Sequence, residues 1–133
     1  MDTNNIFYKI INGEAPCYKV YEDRDFLVIL DIFPTNLGHC LIIPKLPAVD
    51  IFDLGYFCTK KVFPLAQEIA QAVKIATGAD GIKIEQNNGT AAGQVIFYFH
   101  LHVVPHFASG KKLSAPPTPE QFEEMAAAIR KAL

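Results

Sequence analysis

The sequence predicts an α+β domain on an antiparallel sheet, on three observations: short β-rich runs separated by polar turn residues, helical periodicity in segments between and after them, and no repeated strand-helix-strand unit with a Gly-rich fingerprint. Residues Asn4 to Ile11 read as a short helix. Asn4 or Asn5 can cap it, Ile6, Phe7 and Ile10 share a face, and Asn12-Gly13 ends it. Cys17 to Tyr21 and Phe26 to Ile32, separated by Glu22-Asp23-Arg24-Asp25, form an antiparallel hairpin pattern. A third strand, His39 to Ile43, follows the loop from Pro34 to Gly38 and stops at Pro44.

From about Asp53 to Ala76, Val62, Ala66, Ile69, Val73 and Ala76 recur at helical spacing, and Thr77-Gly78 closes the segment. Pro64 lies inside that pattern, so a kink is expected there, or a separate turn before a helix that begins near Phe63. Ile82 to Gln86 is a fourth strand, Asn87 to Gly93 a loop, and Val95 to Val104 the longest strand candidate. Thr118-Pro119-Glu120-Gln121 supplies an N-cap, a proline at the first helical position and a capping-box glutamine for a C-terminal helix through Ala132. No internal repeat or linker divides residues 1–133, so a single domain is expected.

Half of the 133 residues are hydrophobic, enough for a core without metals or disulfides. The formal charge of −2, with Lys and Arg dispersed, leaves no electrostatic footprint for long nucleic acid, so any phosphate ligand should be small. Cys17, Cys40 and Cys58 are widely spaced with no Cys-x-x-Cys pair, which argues against a disulfide framework or a thiolate zinc site. Without a leader-like start or an apolar run of membrane-spanning length, the expectation is a cytoplasmic protein with no membrane partner.

Side chains alternate faces along a strand, which groups Ile96, Tyr98, His100, His102 and Val104 on one face and Phe97, Phe99, Leu101 and Val103 on the other. The second face reads as core. His100 and His102 then stand about 7 Å apart, a spacing that suits one phosphate group. Two imidazoles titrating near neutrality can divide nucleophile from acid. The alternation alone equally admits a packed pair without chemistry, whereas a metal-binding His-x-His lacks an acidic or cysteine partner at a recognisable spacing. Ala91-Ala92-Gly93-Gln94 just upstream offers backbone N–H groups that could surround an anion and an amide that could bond a phosphate. His39 opens the third strand just past a tight loop.

Three blocks, Asp31 through Lys45, Asn87 through Gln94, and His100-Leu101-His102-Val103-Val104-Pro105, resemble the histidine triad superfamily in order and spacing, within a likeness that runs from Ile6 to about Phe107. The resemblance implies a homodimer with a five-stranded antiparallel sheet in each subunit and a central helix. It implies binding of purine nucleoside monophosphates, cleavage at the α-phosphorus and no cofactor. His100 then matches the nucleophile, and His102 and His39 match the histidines that surround the phosphate and help protonate the leaving group. Asp31 matches the ribose-binding carboxylate, and Ile6, Phe7, Ile10, Ile29 and Ile32 the slot for the base. Asn87, Gly93 and Gln94 match the loop that lines the phosphate.

The departures fall at the site. Tyr98 replaces the first histidine of the family's His-x-His-x-His, and a phenol with reference pKa near 10 cannot shuttle a proton at neutral pH. It is expected to fill the same space beside the substrate. Val95 stands where relatives offer a polar side chain to the phosphate, and His106 where many carry arginine. Asn5 and Tyr8 occupy the positions of a Cys-x-x-Cys zinc clamp found in some bacterial relatives, so no zinc is expected. The alternative opened by Tyr98 and Val95 is a nucleotide-binding or interaction protein that has lost its chemistry.

Overall fold

The computed structural model describes residues 1–133. Its elements are α1 (Ile6–Ile11), β1 (Lys19–Glu22), β2 (Phe26–Leu30), β3 (Cys40–Pro44), α2 (Tyr56–Thr77), β4 (Gly81–Glu85), β5 (Leu101–His106) and α3 (Pro119–Ala132). The strands form one five-stranded sheet in the order β1-β2-β3-β5-β4, every neighbouring pair antiparallel. The α+β expectation holds, sheet and central helix included.

β2 and β3 are buried along their whole length because helices cover both faces of the sheet. Phe26, Val28, Leu30, Cys40 and Ile42 point into the larger core, under Val62, Ile69 and Val73 of α2 and Phe122, Ala126 and Ile129 of α3. Leu27, Ile29, Leu41 and Ile43 point the other way, into a smaller cluster with Phe7 of α1 and Tyr98. Two-residue alternation thus divides each central strand between two cores. α1 is too short to hold as an isolated helix. Burial of Phe7 and a cap from Asn5, whose Oδ1 accepts from the N–H of Phe7 at 2.9 Å, fix it over the second face.

The capping box at Thr118 and Gln121 forms as read from the sequence. Of the two alternatives at Pro64, the separate turn is not found: α2 starts at Tyr56, not near Phe63, and runs through Pro64 as one helix. Pro64 lies on the solvent side, so the Lys60 carbonyl it leaves without a helical partner can be satisfied by water. The helix ends at Gly78, whose φ of 71° lets its N–H reach the Lys74 carbonyl at 2.9 Å.

The larger correction concerns the last strand, which begins at Leu101 rather than Val95. Residues 95–100 cross above the connection after β3 instead of pairing with a strand: the Phe99 N–H donates to the Ala48 carbonyl at 2.7 Å. Phe97 consequently leaves the core and is 44% exposed, and Val95 is 83% exposed, although apolarity alone had placed Phe97 inside. No helix is long and apolar enough to cross a membrane.

Candidate active site

A cavity of about 460 Å³ opens between α1, the end of β2, the loop before residue 95 and the histidine segment. α1 contributes Ile6, Phe7 and Ile10, and the β2 side contributes Ile29, Asp31 and Ile32. Asn87, Gly93, His100 and His102 lie in the opposite wall. Ten of the thirteen residues singled out by sequence therefore meet in one place. His39, Gln94 and Tyr98 do not line it.

His39 is 6% exposed and stands behind His102, their Nε2 and Nδ1 atoms 2.9 Å apart. It therefore reaches a ligand only through His102. Gln94 is a staple: its Oε1 accepts from the Gly89 N–H at 2.7 Å, and its Nε2 donates to the carbonyls of Val49 at 2.7 Å and Ile96 at 3.2 Å. Both amide hydrogens are committed, so it cannot offer one to a phosphate as the sequence suggested. The anion nest expected from this loop is also altered, because the N–H groups of Ala92, Gly93 and Gln94 all turn inward to the carbonyls of Gly89 or Thr90. Val95, whose side chain lines the cavity, has an N–H with no partner in the chain. Gly93 has a φ of 94°, a conformation that side-chain-bearing residues rarely adopt.

Tyr98 is 0% exposed, with its hydroxyl donating to the Pro44 carbonyl at 2.6 Å and burial pushing its pKa up. It seals the second core and ties residues 95–100 to the end of β3. The expectation of a phenol beside the substrate is corrected: the ring packs edge-on to Phe7, and its polar end points into the protein.

The hydrogen-bond network assigns the protons on the imidazoles. His100 Nδ1 lies 2.6 Å from the Tyr98 carbonyl, which can only accept, so Nδ1 carries the hydrogen and Nε2 keeps its lone pair. His39 Nδ1 lies 3.2 Å from the Thr35 N–H, which can only donate, so neutral His39 is protonated on Nε2. That hydrogen points at His102 Nδ1, which leaves the proton of His102 on its Nε2. Two neighbouring rings, 4.9 Å apart between centroids, thus hold opposite tautomers: a bare nitrogen on His100 and an N–H on His102. Burial depresses the pKa of all three histidines, that of His39 to about 4. The carboxylates of Asp31 and Glu85 act in the opposite sense on His39 and His102.

Glu85 was missed in the sequence. It lines the cavity and sits opposite His102 in the β4–β5 register, a placement that needs the strand pairing to be known. Cys17 also lines the cavity, its thiol held protonated by burial.

Asp31, His39 and His102 bring three ligand-type atoms within 4.8 Å of one another. They do not suit a metal. A cation on His39 Nε2 would require the ring hydrogen on Nδ1, where the Thr35 N–H already points. Asp31 is also partly engaged, its Oδ1 accepting from the Phe33 N–H at 2.9 Å.

A five-stranded antiparallel sheet carrying paired, oppositely protonated histidines at an apolar cavity defines a small-ligand site suited to phosphate chemistry. The chain belongs to the HIT domain family, whose model matches residues 12–109. It is 46% identical over 105 residues to an adenylylsulfatase of Arabidopsis thaliana, covering 75% of this chain and 51% of that protein, so it spans about half the length of that relative. It is 36% identical over 100 residues to an adenosine 5'-monophosphoramidase of Schizosaccharomyces pombe, covering 75% of this chain and 72% of the relative. Among solved structures, a Hit-like protein of Bartonella henselae superposes with a TM-score of 0.93 at 38% identity, covering 100% of this chain and 99% of that one.

Proposed function

We propose that this protein binds a purine nucleoside monophosphate unit and hydrolyses its bond to a leaving group at the α-phosphorus, through a nucleotidyl intermediate on His100. The observation that carries the reading is the opposed state of the two Nε2 atoms, one with a lone pair and one with a hydrogen, on the same cavity wall. Binding of the anionic phosphate draws one proton from solvent onto His102, and His100 Nε2 then attacks phosphorus while the leaving group departs with the Nε2 proton of that imidazolium, which leaves His102 neutral. Water then attacks the same phosphorus, the bond to His100 breaks, and the proton of the water returns to His102. The anionic phosphate opposes the desolvation that keeps His102 neutral, and Asp31, whose Oδ2 is 3.5 Å from His39 Nε2, lies where it can steady the extra proton.

The apolar slot of Ile6, Phe7, Ile10, Ile29 and Ile32 takes the base, and Asp31 the ribose hydroxyls. Asn87, the free Val95 N–H and the histidines receive the phosphate, so the loss of a polar side chain at Val95 is offset by its backbone. Tyr98 stands where the family's first histidine is expected, but its hydroxyl is bound to Pro44, so it supports the strand start rather than proton transfer. No cofactor is required. Exposed Tyr56 and Phe63 on α2, with Ile84 on the edge strand β4, favour a homodimer built on that side. Free thiols at Cys17, Cys40 and Cys58 suit a cytoplasmic setting.

A fluorogenic nucleoside phosphoramidate tests the proposal: turnover should be present in the wild type and lost in His100→Ala. Equal rates in the two would overturn it. A second reading, a nucleotide-binding protein with negligible hydrolysis, is favoured by the same burial that keeps His102 neutral. Calorimetric binding of nucleoside monophosphate without turnover would select it.

A further inference from the structure

Glu85 ends β4 directly opposite His102 in the antiparallel β4–β5 pair. Opposed residues put their side chains on the same face, with Cβ atoms about 5 Å apart, so this carboxylate shares the cavity side of the sheet with the His102 ring. Lys83, two positions earlier on β4, lies on that face too, its Nζ 3.6 Å from Glu85 Oε1. Their side chains are 58% and 45% exposed, so the pair is loosely held and neither charge is cancelled.

The titratable and charged groups that face His102 are few. His100 precedes it on its own segment, His39 stands at the start of β3, Asp31 follows β2, and Lys83 and Glu85 come from β4. Burial keeps His39 and His100 neutral, which leaves two carboxylates and one ammonium as the ionised neighbours. Burial opposes an extra proton on His102; Asp31 and Glu85 favour it, and Lys83 opposes it. Asp31 has other duties, its Oδ1 accepting from the Phe33 N–H and its side chain reserved above for the ribose. Glu85 is the carboxylate left free to answer the imidazolium.

On the reading of His100 as nucleophile and His102 as donor, on which this inference rests, we propose that Glu85 is a positioning residue for catalysis: from across the β4–β5 pair its carboxylate holds on His102 the proton that the leaving group takes. Lys83 works against it from the same face. The two side chains together set how far into alkaline solution the site keeps its acid. Neither touches the reacting atoms, since His102 Nδ1 faces His39 and its Nε2 faces the cavity.

The experiment titrates the His102 ring by 15N NMR in the full chain, free and with AMP, in the wild type, Glu85→Gln and Lys83→Gln, and records kcat against pH with a fluorogenic nucleoside phosphoramidate. Both positions are exposed enough for the variants to fold, which thermal melting checks. In Glu85→Gln the His102 pKa should fall by about half a unit, a roughly threefold change in its protonation constant, and in Lys83→Gln it should rise. The alkaline limb of kcat, which reports the donor in the complex, should move with it: above the limb Glu85→Gln loses about threefold, and on the plateau below it keeps the wild-type rate. Glu85→Asp should recover part of the shift. A His102 pKa unmoved in folded Glu85→Gln, a fall in Lys83→Gln as well, or a loss of kcat equal at every pH overturns the role of Glu85, and spares the parent reading where turnover depends on His100. Absence of His100-dependent turnover overturns both.

Discussion

Lowering the pH should destabilise this protein through His39 in a measurable amount. Its folded-state pKa is pushed down to about 4 by burial behind His102, against an ordinary value of 6.5 in the unfolded chain. Between those values the unfolded chain binds a proton that the folded chain refuses, so stability rises with pH across that window and falls as acid is added. The gap from about 4 to 6.5 corresponds to roughly 3 kcal/mol, lost progressively as the pH drops from 7 to 4. Urea unfolding at several pH values, on the wild type and on His39→Gln, measures it. The variant cannot titrate at this position, and its Nε2 amide can still donate to His102. Its stability should therefore be flatter with pH by an amount of that order. A difference between the two proteins that is constant from pH 7 to 4, or that grows in the wild type's favour in acid, would refute the buried neutral state of His39.

Other outcomes follow from the same geometry. Tyr98→Phe removes a buried hydrogen bond and should cost about 1–2 kcal/mol in chemical denaturation while leaving kcat/KM within about twofold. Tyr98→His should not raise turnover, since the position faces Pro44 and not the cavity; a large gain would show that this account of Tyr98 is mistaken. The acid limb of kcat/KM, set by protonation of the His100 nucleophile, should be centred below 6.5, because burial holds the His100 pKa under its ordinary value; an acid limb centred above 6.5 contradicts this. Gly93→Ala, at a φ of 94°, should lower melting stability by about 1–3 kcal/mol and slow turnover together. An unaffected variant would mean that the loop relaxes freely.

The parts of this molecule visible in the sequence are those specified by neighbours. The capping box of Thr118 and Gln121, the Asn5 cap and the closing Gly78 depend on residues within one turn, and each forms. The alternating faces of β2 and β3 were legible in principle, but both read as continuous apolar runs because both faces are covered. What the sequence could not show rests on contacts across long separations. Tyr98 meets Pro44 54 residues away, Gln94 meets Val49 45 away, and His39 meets His102 63 away. Each of these reassigns a residue from ligand contact to support. Residues 95–100 misled for a related reason: apolarity and alternation describe a strand, but only a partner strand makes one, and the Phe99 N–H found Ala48 instead.

The most direct test of the central claim is the protonation of the two imidazole rings on the cavity wall. In long-range 15N–1H correlation spectra of the imidazoles at neutral pH, with assignments from His100→Ala and His102→Ala, His100 should carry its hydrogen on Nδ1 and His102 on Nε2. Opposite tautomers in that sense supply a nucleophile and a donor side by side. A hydrogen on His100 Nε2, or a bare Nε2 on His102, would contradict the account.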